Sequence, residues 1–242
     1  MSMQRIANYG SFLQAYALKQ LITEMNCEVE FVDYHIGIPV ISEQTESKNK
    51  YIRKFKKGLE IVQSEGPLSH KLAFIRFKQS FYKKYMLMLG ISDEMNYNPV
   101  LDCLVIGSDE VFNCIQKNSN VGYSLELFGK DNQAKKLITY AASFGNTTLE
   151  KLRKYKKIDE IGKYLKQFDA ISVRDENSGD IVEQLTKRIP IYNLDPVLVY
   201  DYMNSCDKIP QIKIKEKYLV LYAYAGRISN IEADWIKVYA KK

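Results

Sequence analysis

Polar and charged residues follow four short apolar runs in the middle of the chain. Ser108 and Asp109 come after LVIG, Ser143 after ITYAA, Arg174 after AISV and Asp195 after IYNL. Ligands of an open parallel sheet bind beyond the carboxyl ends of its strands, which is where these residues would converge. Loops are polar in any case, so one such residue means little. The four strand ends together predict a ligand site.

An anion is the ligand that these residue types suit best. Gly107 and Gly145 let a ligand approach the backbone closely, and turns that lead into helices expose N–H groups. The hydroxyls of Ser108 and Ser143 can donate to oxygen atoms. Arg174 can hold a carboxylate or a phosphate with two parallel hydrogen bonds, which a lysine cannot do.

The same residues also have structural interpretations. Arg174 could pair with its neighbours Asp175 or Glu176, Asp109 could cap the following turn, and Asp195 could fix a turn before a proline. Polar residues at strand ends are often structural, so the pattern alone leaves Arg174 open between a salt bridge and a bound anion.

The site requires strands that alternate with helices. Short runs rich in Val, Ile and Leu, separated by helical patterns, favour an α/β fold with a parallel sheet that has helices on both faces. An earlier strand is predicted at 28–34, and two helical segments are predicted between residues 50 and 89. The other strands are predicted at 101–107, 136–143, 168–174, 189–195 and 218–226, and the other helices at 10–26, 149–167, 177–187 and 231–240.

Composition excludes several classes of protein. The 242 residues carry 35 basic and 29 acidic side chains, a formal charge of +6 that is spread along the chain, so we expect no nucleic-acid partner. No run approaches the roughly 20 apolar residues of a transmembrane helix. The 4 cysteines form no CxxC pair, which is typical of a reduced, cytoplasmic protein. We expect no metal site and no cofactor.

Several well-known catalytic motifs are missing. The sequence contains no GxGxxG after a strand, no GxxxxGK[ST], no HExxH and no GxSxG. With only 2 histidines, a Ser-His-Asp triad is difficult to build. His35 follows the predicted strand 28–34, where it could reach the ligand site or could be an ordinary surface residue.

Five blocks of sequence, in order, resemble the polysaccharide pyruvyl transferases. The first is NYGSFLQAYALKQLI at 8–22 together with EFVDY at 30–34, and the second is LVIGSDEVFN at 104–113. The remaining three are ITYAASFG at 138–145, ISVRDENS at 171–178 and LDPVLVY at 194–200. Their shared order makes the resemblance far more specific than any single motif.

The resemblance implies a Rossmann-like N-terminal lobe of a GT-B-like, two-domain fold. The boundaries expected are a lobe at 1–200, a linker at 201–217 and the start of a second lobe at 218–242. It also implies transfer of a pyruvyl group from phosphoenolpyruvate to a pair of sugar hydroxyls, giving a ketal on a surface polysaccharide, exopolysaccharide or lipid-linked sugar.

The resemblance also implies which residues bind substrate. Arg174 matches the arginine of the family's S-x-R-(Asp/Glu) block and is the expected donor-binding residue. Ser108 and Asp109 match the GSD block, and Ser143 lies in the block after it. The N-terminal loop that starts the first helix matches at Asn8, Tyr9 and Gly10. No catalytic residue is assigned.

Two departures from the family suggest a chain clipped at both ends. The strand that precedes the MQRIANYG loop and most of the second lobe, with its histidine, have no counterpart in this sequence. We therefore expect an oligomer or a partner chain that completes the fold. The competing functions are a nucleotide-sugar glycosyltransferase and a non-catalytic lobe that binds a glycan or a partner.

Overall fold

The computed structural model describes residues 1–39, 41, 68–97, 99–116, 122–203, 217–219 and 228–240. The chain divides into two compact units, Met1–Tyr200 and Asp201–Lys242. The predicted helical segment before residue 68, most of the predicted linker and most of the predicted strand 218–226 lie outside the described residues.

The centre of the first unit is a parallel sheet. Its strands are β1 (Cys103–Asp109), β2 (Lys136–Ala142), β3 (Ser172–Val173) and β4 (Ile191–Tyr192), and they lie in that order. All three pairings of neighbouring strands are parallel. Because neighbouring strands run in the same direction, their carboxyl ends meet at one edge of the sheet. The predicted α/β, Rossmann-like sheet is confirmed.

Helices flank this sheet. Asn8 begins the first helix, since its side chain accepts hydrogen bonds from the backbone N–H groups of Gly10 and Ser11. The helices among the described residues of this unit are α1 (Tyr9–Glu24), α2 (Leu68–Phe81), α3 (Leu87–Leu89), α4 (Leu149–Lys154), α5 (Ile158–Leu165), α6 (Glu176–Thr186) and α7 (Pro196–Val199). A π-helical turn, Tyr82–Met86, joins α2 to α3, and a 3₁₀ turn covers Leu125–Phe128.

Residues 28–34 do not form the predicted strand. The backbone N–H of Asp33 donates to the Asn96 carbonyl, and the Val32 carbonyl accepts from the Gln4 side chain. The alternating pattern predicted the extended shape, but the backbone partners are a loop and a side chain rather than a neighbouring strand. On the side of β1 away from β2, the Met1 amino group donates to the Val105 carbonyl at 2.8 Å.

The predicted helix 149–167 is two helices. Helix α4 ends at Lys154, and Lys156 has a φ of 55°, a left-handed conformation that an α-helix cannot contain. Helix α5 starts again at Ile158. The apolar spacing is nearly continuous across this break, which is why the pattern predicted a single helix.

One face of the sheet carries the main core. Leu104 and Ile106 of β1, Leu137 of β2, and Ile171 and Val173 are all buried in one hydrophobic cluster on this face. The alternate residues, which point to the opposite face, are less covered: Val105, Ile138, Tyr140 and Ala170 are all partly exposed. Helix α1 lies against β1 and against α7.

The second unit is described mainly through one helix, α8 (Asn230–Tyr239). Ser229 and Glu232 form a reciprocal capping box at its start. Four of its large apolar side chains, Ile231, Trp235, Val238 and Tyr239, are exposed. No helix among the described residues is long and apolar enough to cross a membrane.

Candidate functional site

Arg174 lies between two carboxylates at the carboxyl edge of the sheet. Its Nη1 donates to Asp195 Oδ2 at 2.7 Å, and its Nη2 donates to Asp109 Oδ1 at 3.2 Å. The three side chains are 27%, 22% and 28% exposed, in the order Arg174, Asp195, Asp109. The ends of β1, β3 and β4 therefore converge, as the strand-end pattern predicted, into a cluster that is open to solvent.

Arg174 forms its salt bridges with residues other than its sequence neighbours Asp175 and Glu176. Asp175 instead caps helix α6, since its Oδ1 accepts from the backbone N–H of Ser178 at 2.8 Å. Asp195 has two roles, because Oδ1 accepts from the backbone N–H of Val197 at 3.1 Å while Oδ2 holds Arg174. The turn interpretation of Asp195 is therefore confirmed. The pairing of Arg174 with Asp175 or Glu176 is wrong, because its carboxylate partners are Asp195 and Asp109.

Ser108 and Ser143 are buried beside this cluster. The Ser108 side chain is fully buried and donates to Gln14 Oε1 of helix α1 at 2.9 Å. The Ser143 hydroxyl accepts from the backbone N–H of Gly145 at 2.9 Å. Both hydroxyls therefore hold the strand-end loops in place. Gln14 lies in the middle of an apolar helix pattern, so no motif indicated this contact.

The residues Asn8, Tyr9 and Gly10 form the start of helix α1. Asn8 Oδ1 accepts from the backbone N–H of Gly10 at 2.7 Å. The Tyr9 side chain is half exposed and its ring packs against Phe77, Phe81 and Tyr85. Burial, together with a hydrogen bond to Tyr85, raises the pKa of Tyr9. This loop presents a neutral phenol and a helix start.

The backbone is irregular where the site is built. Asp109 has a φ of 71° and Ala141 a φ of 47°, both in the left-handed region that non-glycine residues rarely occupy. Ile138 pairs with Ala170 and Ala142 with Val173, so β2 has one residue more than β3 over this interval. This is a β-bulge, a device that re-aims side chains and is common beside active sites.

Thr139 fills the gap that the bulge creates. Its hydroxyl accepts from the backbone N–H of Ser172 at 2.7 Å and donates to the Ser172 carbonyl at 2.7 Å. The Ser172 hydroxyl in turn accepts from the backbone N–H of Ala141 at 2.9 Å. The side chains thus replace the missing ladder bonds and fix the strand that lies between Asp109 and Arg174.

His35 belongs to a separate cluster. Its Nδ1 lies 2.8 Å from Glu126 Oε1, and its ring stacks on Tyr97 with centroids 4.1 Å apart. Its side chain is 65% exposed. Among the residues described, no group of three or more His, Cys, Asp or Glu side chains could hold a metal ion.

The parallel sheet with flanking helices defines an α/β protein with a Rossmann-like fold, a class whose ligands bind at the carboxyl edge of the sheet. A family model described as "Polysaccharide pyruvyl transferase" matches residues 8–241, and the chain belongs to this family of transferases. No curated protein and no solved structure matches the chain significantly.

Proposed function

We propose that this chain transfers a pyruvyl group from phosphoenolpyruvate to two hydroxyls of a sugar in a polysaccharide or a lipid-linked precursor. Membership of the family supports the transferase chemistry and a polysaccharide acceptor. The observation that carries the choice of donor is the partly exposed Arg174 at the edge where the strands end.

The guanidinium of Arg174 has donors to spare for an anion. It carries five N–H groups, and Asp109 and Asp195 each contact a single nitrogen. Phosphoenolpyruvate offers a phosphate and a carboxylate, and both match the planar fork of an arginine. The two aspartates hold the fork in one orientation, which reduces the entropy that a ligand must overcome.

The same aspartates supply the chemistry that the acceptor needs. When the ketal forms, two hydroxyl oxygens bond to C2 of the donor, the C2–O bond to phosphate breaks, and C3 gains a proton to become a methyl group. Of the two hydroxyl protons released, one accounts for the proton that C3 gains and the other leaves with hydrogen phosphate. Asp109 and Asp195 are carboxylates within 3.2 Å of Arg174 and can accept hydroxyl protons beside the bound donor.

Calorimetric titration with phosphoenolpyruvate tests this proposal. Arg174→Gln removes the charge, and we expect binding at least about tenfold weaker, the loss typical of a hydrogen bond to a charged group. Arg174→Lys keeps the charge without the planar fork, so its affinity should lie between those of the wild type and Arg174→Gln. Arg153→Gln is the matched control, since Arg153 is exposed and bonds only Gln184 among the partners described.

The outcome also separates the competing functions. Unchanged binding in Arg174→Gln, or no binding by the wild-type chain, would contradict the proposal. Thermal stabilisation by nucleotide sugars and none by phosphoenolpyruvate would instead support a glycosyltransferase. Release of inorganic phosphate that depends on an added glycan acceptor would establish the transfer itself.

A further inference from the structure

Tyr140 lies on the strand between the two sides of the site. Strand β2 pairs with β1, which ends at Asp109, and with β3, which is followed by Arg174. Leu137 and Val173 point into the main core, so the alternation of side chains places Tyr140 and Arg174 on the opposite face. The bulge at Ala141 follows Tyr140 directly, which makes Tyr140 the last β2 side chain on that face before the carboxyl edge.

The Tyr140 side chain is partly exposed although its strand is central in the sheet. Its partner across the ladder is Gly107, which has no side chain to cover it. Among the described residues, none hydrogen-bonds the Tyr140 hydroxyl. A phenylalanine would give the same packing, so the hydroxyl has no structural role that the described residues explain.

Burial and a nearby carboxylate keep the Tyr140 phenol protonated. Burial raises its pKa, and the nearby carboxylate of Asp195 raises it further. The hydroxyl therefore stays protonated at neutral pH and is a neutral hydrogen-bond donor. Because β2 pairs with β3 and Arg174 directly follows β3, the Tyr140 and Arg174 side chains are on the same face of neighbouring strands.

We infer that the Tyr140 hydroxyl donates a hydrogen bond to an oxygen of the anion that Arg174 binds. Identifying that anion as phosphoenolpyruvate rests on the proposed function. Arg174 already shares its charge with two aspartates, so a further donor beside it offsets their repulsion of an anionic ligand. A neutral donor adds this hydrogen bond without adding a third ion pair to the cluster.

The variant Tyr140→Phe tests the inference, with titrations of both phosphoenolpyruvate and inorganic phosphate. We expect about tenfold weaker binding, the loss of one hydrogen bond to a charged group. The midpoint of thermal unfolding should not change, because no described partner loses a bond. Tyr155→Phe, which removes a hydroxyl at the end of helix α4, is the matched control and should bind like the wild type.

Anion binding by the two variants and the wild type distinguishes the role of Tyr140 from the proposed function. Normal binding by Tyr140→Phe together with weak binding by Arg174→Gln would overturn the role of Tyr140 and leave the proposed function standing. Phosphate binding that depends on both residues, without binding of phosphoenolpyruvate, would support the role of Tyr140 and refute the donor. If neither anion binds the wild-type chain, both are refuted.

Discussion

Replacing Arg174 by methionine and Asp195 by asparagine, singly and together, measures the salt bridge at the centre of the site. Methionine keeps much of the arginine stem without its charge. Asparagine keeps Oδ1, which accepts from the backbone N–H of Val197, and removes the charge at Oδ2. Because asparagine caps helices as well as aspartate does, the double-mutant cycle isolates the ion pair from the helix cap.

The geometry sets the size of the effect. At 2.7 Å the Coulomb energy of the pair is about 1.5 kcal/mol at the dielectric constant of water and about 6 kcal/mol at an effective value of 20. Desolvation, side-chain ordering and solvent screening of these partly exposed groups offset most of it. We expect a coupling free energy of about 1 kcal/mol for Arg174 with Asp195. The longer contact to Asp109, at 3.2 Å, should give about half of that.

Thermal and urea unfolding of the four proteins provide the assay. A coupling of about 1 kcal/mol corresponds to roughly 2–4 °C in the unfolding midpoint for a unit of this size. In 1 M salt, where the screening length is about 3 Å, the coupling should fall. A coupling indistinguishable from zero at low salt would refute the ion pair between Arg174 and Asp195.

Two further predictions concern the elements around the site. Asn8→Ala should lower the free energy of unfolding by about 1 kcal/mol, since the cap of α1 is lost, while Asn8→Asp should not; urea denaturation measures both. Burial raises the pKa of Asp33, but hydrogen bonds from Arg5, Asn96 and Gln4 outweigh it and hold this pKa below its ordinary 3.8. The ionised Asp33 carboxylate therefore contributes its full stabilisation above pH 3.8, and this contribution is lost as the pH falls through the lower folded-state pKa. Asp33→Asn should remove this part of the acid dependence of the free energy of unfolding. Equal acid dependence in the variant and the wild type would contradict the prediction.

Local patterns in the sequence predicted the elements whose causes are local. The apolar runs before Asp109, Ser143 and Arg174 predicted buried strands, and the structure has strands there. The amphipathic stretch at 10–26 predicted helix α1, which spans Tyr9–Glu24. The prediction failed at 28–34, where alternation describes an extended chain but cannot show whether a neighbouring strand is present to receive its hydrogen bonds.

The sequence by itself determined the family, the alternation of strands and helices, and the presence of an arginine at a strand end. Only the tertiary structure decided what Arg174 contacts, because Asp195 and Asp109 lie 21 and 65 residues away from it. Strand order and register bring such residues together, and neither is encoded in short-range periodicity. The bulge at Ala141 likewise depends on how two strands pair, because β2 has one residue more than β3 between their paired positions. It makes Tyr140 the last β2 side chain on its face before the carboxyl edge.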